Sequence, residues 1–342
     1  ALHEGDTLGV GTPPPIPTNA EAVINAAARC AGWTLDLTGW HAPKIPPAGE
    51  SYLKRGIGIA TGFKNLGFSL GYPDYCWAGV GLHGSTEIER VVLWHAGVEV
   101  GQGAHTVMIQ MVAEALGAPV ERVTLMTSDT ATMGDAGSTS ASRMTFMAGN
   151  AIRGAAQAAL EKWHAENRPA VAEFEYLAPK TTPFDEETGH SMPNFAYAYA
   201  AQVVEVEVDT ETGQVKVLRV VSANDVGQAV NPRMVEGQIE GAIVQAYGYA
   251  LMENLQMKDG RVLTDQLSTY LIPTVLDIPE KVNPIIVDVP DPLAPWGARG
   301  IGEPPFLPLA PAVLAAIHNA VGVWLNEIPA TSQAVWCALR AV

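Results

Sequence analysis

A chain of 342 residues with 48% hydrophobic and 16% charged residues has the composition of a globular protein, long enough for one large or two medium domains. Its 36 acidic against 20 basic residues, a formal net charge of -16, disfavour nucleic acid or an anionic membrane as the main partner. Three widely spaced cysteines, Cys30, Cys76 and Cys337, exclude a disulfide framework and any iron–sulfur or zinc–thiolate cluster built by this chain, and point to a reducing, cytoplasmic compartment.

The chain opens on a polar arm, residues 1–17, with Gly5, Gly9, Gly11 and four prolines, and shows no charged-then-apolar leader. Thr18-Asn19 can cap a helix over 20–31, which Gly32 stops. After a Pro-rich link at 41–49, alternating small and apolar residues predict strands over 54–60, 77–82 and 90–96. Between the first two lies an aromatic-rich loop, which either packs in the core or lines a substrate pocket through Phe68 and Tyr72. Gly97 to Thr106 then runs from strand through a glycine loop into a helix over 107–116, a geometry that presents backbone N–H groups to an anion. Gly101-x-Gly103 lacks the third glycine of a dinucleotide fingerprint, and His105 reads as a capping or packing histidine.

A strand over 122–127 leads to Gly137-Ser138-Thr139-Ser140-Ala141-Ser142-Arg143 and a long helix over 144–165. Small hydroxylic residues before a helix form either its cap or a phosphate cradle. Residues 167–195 are polar and Pro-rich and read as the boundary between lobes. Strands over 199–208 and 215–223 follow, joined by a hairpin at Thr210-Glu211-Thr212-Gly213. Asn231-Pro232 supplies an N-cap and first residue for a helix carrying Val235, Ile239, Ile243, Tyr247 and Leu251 on one face, with Gln238 and Gln245 among them. After a strand over 285–289 comes Gly297-Ala298-Arg299-Gly300-Ile301-Gly302-Glu303-Pro304-Pro305. Its glycines let the backbone turn and approach a ligand closely, and its prolines fix the exit, so Glu303 is either a candidate general base on a stiff mount or a solvated turn residue. A buried helix over 311–321 ends the series. The predicted class is α+β with mixed sheets, flanking helices and two lobes: an arm and helix at 1–50, a first lobe at 51–175, and a second lobe at 176–342 carrying the Glu303 loop.

These stretches together resemble the molybdenum-hydroxylase family of xanthine dehydrogenases, aldehyde oxidoreductases and bacterial N-heterocycle hydroxylases. The matching text is Gly97-x-Glu99-x-Gly101-Gln102-Gly103-x-His105-Thr106, Ser138 to Ser142, and Asn224-Asp225-Val226-Gly227 with Asn231-Pro232. It continues through Glu236-Gly237-Gln238-Ile239-Glu240-Gly241, Tyr270-Leu271-Ile272-Pro273-Thr274 and Gly300-Ile301-Gly302-Glu303-Pro304-Pro305. The order is kept over nearly the whole chain, but only the second half of the family's molybdopterin-binding subunit is resembled. The first-half motifs are not found, so the chain is either one polypeptide of a split subunit or a piece of a longer one.

The resemblance implies a molybdenum held by the pterin dithiolene, with no direct protein ligand, and the cytosine dinucleotide form of the cofactor. Gly101, Gln102, Gly103, Ser138, Thr139, Ser140, Ala141, Ser142, Gln238, Gly300 and Gly302 would contact that cofactor, and Glu303 would act as the base. The reaction implied is hydroxylation of an aldehyde or N-heterocycle with oxygen from water. Partners implied are a first-half subunit, a [2Fe-2S] subunit and a flavin (FAD) subunit, in a hetero-oligomer. Arg299 stands where many relatives have Lys and is expected to point outward, away from Glu303. Two other readings compete: a carboxylate-based hydrolase pairing Glu303 with Asp225 or Asp291, and a non-catalytic assembly subunit.

Overall fold

The computed structural model describes residues 2–15 and 17–341; Ala1 and Ile16 of the expected arm, and Val342, lie outside the described residues. In chain order the elements are α1 (Ala20–Cys30), a small hairpin of β1 (Thr34–Asp36) and β2 (Gly39–His41), β3 (Leu53–Asn65), β4 (Tyr75–His83) and β5 (Arg90–Trp94). Then come α2 (Ala104–Leu116), β6 (Val123–Met126), α3 (Met144–His164), β7 (Ala170–Leu177), β8 (Tyr197–Asp209), β9 (Val215–Asp225) and α4 (Pro232–Leu251). A second small hairpin, β10 (Met257–Lys258) and β11 (Arg261–Val262), precedes β12 (Lys281–Val287), α5 (Leu309–Val321) and α6 (Ser332–Arg340).

Two mixed four-stranded sheets organise the chain, in the orders β6-β5-β4-β7 and β12-β9-β8-β3. The α+β expectation holds. In the first sheet α3 packs across β4 and β7, and α2 packs beside α3, around a core dominated by small and unbranched residues such as Ala151, Ala155, Met147 and Met111. In the second, strand β8 is buried on both faces, which its near-continuous apolar sequence permits. Tyr199, Ala201 and Val203 face α1, whereas Val204, Val206 and Val208 face α4 and α5. Alternation along one strand therefore feeds two separate cores.

Helix α5 lies very close on β3. A Cβ built on Gly56 would stand 2.2 Å from the carbonyl oxygen of Ala316, and one on Gly58 would stand 2.3 Å from that of Ala312. The helix thus lies with its own backbone against bare strand backbone, and Asn319 Oδ1 accepts from Ile57 N at 3.0 Å to lock the register. This contact fixes the direction in which the preceding loop, with Glu303, enters α5.

Three placements differ from the sequence reading. Strand β7 falls inside 167–195, where a polar linker is expected; its inward residues, Ala170 and Ala172, are too small to show as hydrophobic alternation. Strand β3 lies within 51–175 but pairs along its whole length with β8 of the other sheet. Helix α6, capped by Thr331 Oγ1 accepting from Ala334 N, buries little beyond Val335 and gave no strong periodic signal.

Gly58→Ala should lower stability by about 1–3 kcal/mol, because the added methyl meets helix backbone rather than a side chain that could move. Urea unfolding followed by circular dichroism measures this; Gly62→Ala, whose added carbon meets only Leu307 Cβ at 3.7 Å, serves as the mild control.

Candidate functional site

The N-terminal ends of α2, α3 and α4 and the loop 298–303 converge on a cleft of about 370 Å³. Gln102, Thr139, Ser140, Ala141, Ser142, Gln238, Gly300, Gly302 and Glu303 all line it. Gly101, Gly103 and Ser138 shape the supporting loops without lining the cleft. Phe68 and Tyr72 do not line it either: their rings meet edge to face at 5.3 Å, and the Arg143 guanidinium lies 5.1 Å over the Phe68 ring.

Arg143, fully buried, is the post around which the Ser-rich loop winds. Its Nε donates to Asp74 Oδ1 at 2.9 Å, Nη1 to the carbonyls of Ala136 and Ser138, and Nη2 to that of Tyr75. The other oxygen of Asp74 accepts from Phe68 N at 2.8 Å. A cation opening a helix opposes the helix dipole, and that mismatch was the sequence signal that Arg143 serves the loop instead. Beyond the post the chain turns through Ala141 and Ser142, both with φ of 49°. Left-handed non-glycine residues cost about 1–3 kcal/mol each and are kept where the surroundings need the turn.

The glycine loop before α2 does not offer its N–H groups to an outside anion. Glu99 takes them: Oε1 accepts from Gly101 N and Gly103 N at 2.8 and 2.9 Å, and Oε2 from His105 N at 3.0 Å. Burial works against ionisation of Glu99, but these N–H groups and His105 outweigh it and hold the carboxyl below its ordinary range. Gln102 likewise turns inward, accepting from Val100 N and donating to the Val98 carbonyl. His105 is a packing histidine, its Nε2 bonded to the Gly97 carbonyl at 2.9 Å. The anion geometry expected here is already filled by the chain's own carboxylate. By contrast α3 has neither a side-chain cap nor an acidic residue in its first turn, and Met144 and Thr145 of that turn line the cleft.

Glu303 stands at the cleft with its side chain 48% exposed. Ser142 Oγ donates to Glu303 Oε2 at 2.9 Å and accepts from Glu303 N at 3.0 Å. Gly300 must be glycine, since a Cβ there would fall 1.9 Å from the Ser142 carbonyl oxygen. Behind the loop, buried Gln202 on β8 donates to the Pro305 carbonyl and to Ser222 Oγ. Lys64 Nζ reaches Glu303 Oε2 at 3.1 Å from the end of β3. Sequence reading missed Lys64, Gln202 and Arg143, because each acts on a loop far away in the chain.

Arg299 does not point outward. It is buried, its Nε donating to Asp291 Oδ2 at 2.8 Å and its Nη1 to Asp225 Oδ2, while its backbone N–H bonds the Val226 carbonyl. Asn19 Nδ2 also donates to Asp225 Oδ2, at 2.9 Å. Two carboxylates left in the interior would be costly, so the guanidinium is drawn in to meet them. Burial pushes the Asp225 carboxyl above its ordinary range, with Arg299 the main opposing influence. Asp225 and Asp291 are therefore committed to Arg299, and neither is available as the second acid of a hydrolase.

A molybdopterin cofactor-binding domain model matches residues 34–168 and 161–279. A probable xanthine dehydrogenase polypeptide of Bacillus subtilis (strain 168) is 34% identical over 314 residues, covering 82% of this chain and 42% of that protein. The 6-hydroxypseudooxynicotine dehydrogenase complex subunit gamma of Paenarthrobacter nicotinovorans is 30% identical over 300 residues, covering 76% of this chain and 38% of the relative. Among solved structures, the aldehyde oxidoreductase from Desulfovibrio desulfuricans ATCC 27774 superposes with a TM-score of 0.79 at 27% identity, over 98% of this chain and 37% of that one. The chain thus spans about two fifths of the length of the proteins it matches.

The strand that feeds the Glu99 loop ends at buried His95, whose Nδ1 accepts from Gly97 N at 2.8 Å and whose Nε2 lies 3.5 Å from Cys76 Sγ. Burial, aided by His105 and Arg143, lowers His95 to about 4, and burial raises the Cys76 thiol to about 12. Between pH 6.5 and 4 the unfolded chain takes up a proton at this histidine that the folded chain refuses. Stability from His95 is therefore full above pH 6.5 and falls with acidification, by up to about 1.4 kcal/mol per pH unit. His95→Asn, which keeps an acceptor for Gly97 N but does not protonate, should flatten that slope in urea titrations at about pH 7, 6 and 5.

Proposed function

Because this chain belongs to the molybdopterin cofactor-binding family, as the C-terminal portion of a molybdenum-hydroxylase cofactor subunit, we propose that it carries the catalytic base of a hydroxylase acting on an aldehyde or N-heterocycle. The observation that carries this reading is Glu303 pinned at the cleft by Ser142, within the same wall as Thr139, Ser140 and Gln238.

The donor set suits the cofactor from this side. The uncapped start of α3 with the hydroxyls of Thr139 and Ser140 fits a phosphate or pyrophosphate group. Thr139 Oγ1 accepts from Val98 N, which leaves its proton free to donate. Gln238, with no hydrogen-bond partner among the described residues, fits a polar pterin edge. When bound, the molybdenum–pterin group supplies the redox chemistry, taking two electrons from the substrate carbon and passing them onward. Glu303 takes the proton released by the water-derived nucleophile, as a general base within reach of the reacting centre. Gly300 and Gly302 keep that wall free of side chains. The intact Glu303 mount favours this role over that of a non-catalytic assembly subunit.

The rest of the assembly follows from the resemblance. A first-half polypeptide closes the other side of the cleft, and [2Fe-2S] and FAD centres on partner chains carry the electrons away. Both the Bacillus and the Paenarthrobacter relatives are named as subunits, which supports a multi-subunit arrangement. The cytosine dinucleotide form of the cofactor and a cytoplasmic setting, in keeping with free Cys30, Cys76 and Cys337, complete the proposal.

Glu303→Gln in the assembled enzyme should lower turnover by at least about 100-fold with molybdenum content near wild type, measured on the same sample. Activity above about a tenth of wild type at full cofactor loading would remove Glu303 as the base. The chain purified alone should hold little molybdenum by elemental analysis and gain it on co-expression with the first-half polypeptide; stoichiometric metal in the isolated chain would overturn the shared-site arrangement.

A further inference from the structure

Glu303 has two carboxylate oxygens, and the surrounding chain treats them differently. Oε2 is engaged twice, by Ser142 Oγ at 2.9 Å and by Lys64 Nζ at 3.1 Å. Oε1 has no hydrogen-bond partner among the described residues. Lys64 is in turn fixed from behind. Its ammonium donates to Asn65 Oδ1 at 2.8 Å and to the Asn65 carbonyl at 3.2 Å. Asn65 Nδ2 is itself tied to the Gly67 carbonyl and to Ser69 Oγ. The side chain of Lys64 is only 21% exposed, and it does not line the cleft although Glu303 does.

We infer that Lys64 and Ser142 form a two-point clamp that turns Glu303 about its own axis so that Oε1 is the proton-accepting atom. The inference rests on the proposed role of Glu303 and adds a positioning residue to it. A single hydrogen bond from Ser142 would leave the carboxylate free to rotate about its last side-chain bond, a broad and soft torsion. A second donor on the same oxygen, approaching from another strand, removes that freedom. The three ammonium protons of Lys64 all have acceptors, two on Asn65 and one on Glu303, so the charge is directed at the clamp rather than at a ligand in the cleft.

The test compares Lys64→Met, Lys64→Arg and Glu303→Gln in the assembled enzyme. Misorientation of a reacting group by about an ångström costs as much as about 100-fold, so Lys64→Met should lose about 10- to 100-fold in kcat with KM within about twofold and molybdenum content unchanged. Lys64→Arg, which keeps a donor and a charge, should recover most of that loss; a role in substrate binding would instead move KM. A second reading is independent of turnover. In the wild type Lys64 should react slowly with an amine-acylating reagent, followed by peptide mass spectrometry, and about tenfold faster in Glu303→Gln, where the ion pair is gone. Wild-type kcat in Lys64→Met, or equal acylation of Lys64 in both proteins, overturns the clamp. Full activity in Glu303→Gln would instead defeat the base assignment, so the two failures are distinguishable.

Discussion

Everything at the cleft depends on a guanidinium held in the interior. Arg299 joins the end of β9, through Asp225, to the turn at Asp291 and to the loop that carries Glu303. An isolated charge there would be prohibitively costly, and so would either carboxylate; together, with Asn19 and the Gly227 and Leu293 N–H groups satisfying the remaining oxygens, they are tolerated. Such a cluster is less a source of stability than a source of uniqueness. Any displacement of the loop strands a charge, so residues 298–303 have a single admissible path. Arg143 applies the same principle to the opposite wall, with Asp74 as counter-ion and three carbonyls as further acceptors.

Around these two posts the elements meet through absence of side chain. Gly56 and Gly58 admit the backbone of α5, Gly227 admits the Gly297 carbonyl, and Gly300 admits that of Ser142. Close backbone contact is stiff because nothing in it can change rotamer. The cleft therefore sits between rigid walls, and its polar lining is delivered by helix starts and loop turns rather than by long mobile side chains.

Much of this was legible in the sequence. Asn231 caps α4 as its place before Pro232 suggested, accepting from Met234 N at 3.2 Å, and the 210–213 turn closes the β8–β9 hairpin through Asp209 and Gly213. Local rules sufficed there because cap and turn depend on neighbouring residues. The Glu303 loop was readable for the same reason: its glycines and prolines state their own constraints. What escaped was everything settled by partners distant in the chain. Arg299 was expected outside because charged residues usually are; it is inside because Asp225 and Asp291 are. Glu99 was seen only as part of a motif, and its carboxylate at the start of α2 reassigns the anion-binding role to α3. Lys64 gave no signal, since a lysine at a strand end is ordinarily a solvated one.

The pairing of Ser142 with Glu303 joins residues 161 positions apart. Closing so large a loop is entropically unfavourable until contacts on both sides repay it. The reacting carboxylate can therefore take its place only after both sheets have formed and docked, which makes the cleft one of the last features of the molecule to appear during folding. A chain arrested partway carries no half-built, exposed base. Cofactor capture thus doubles as a proofreading step on the polypeptide: only a finished fold presents the turn at Ala141 and Ser142 opposite the Gly300 loop.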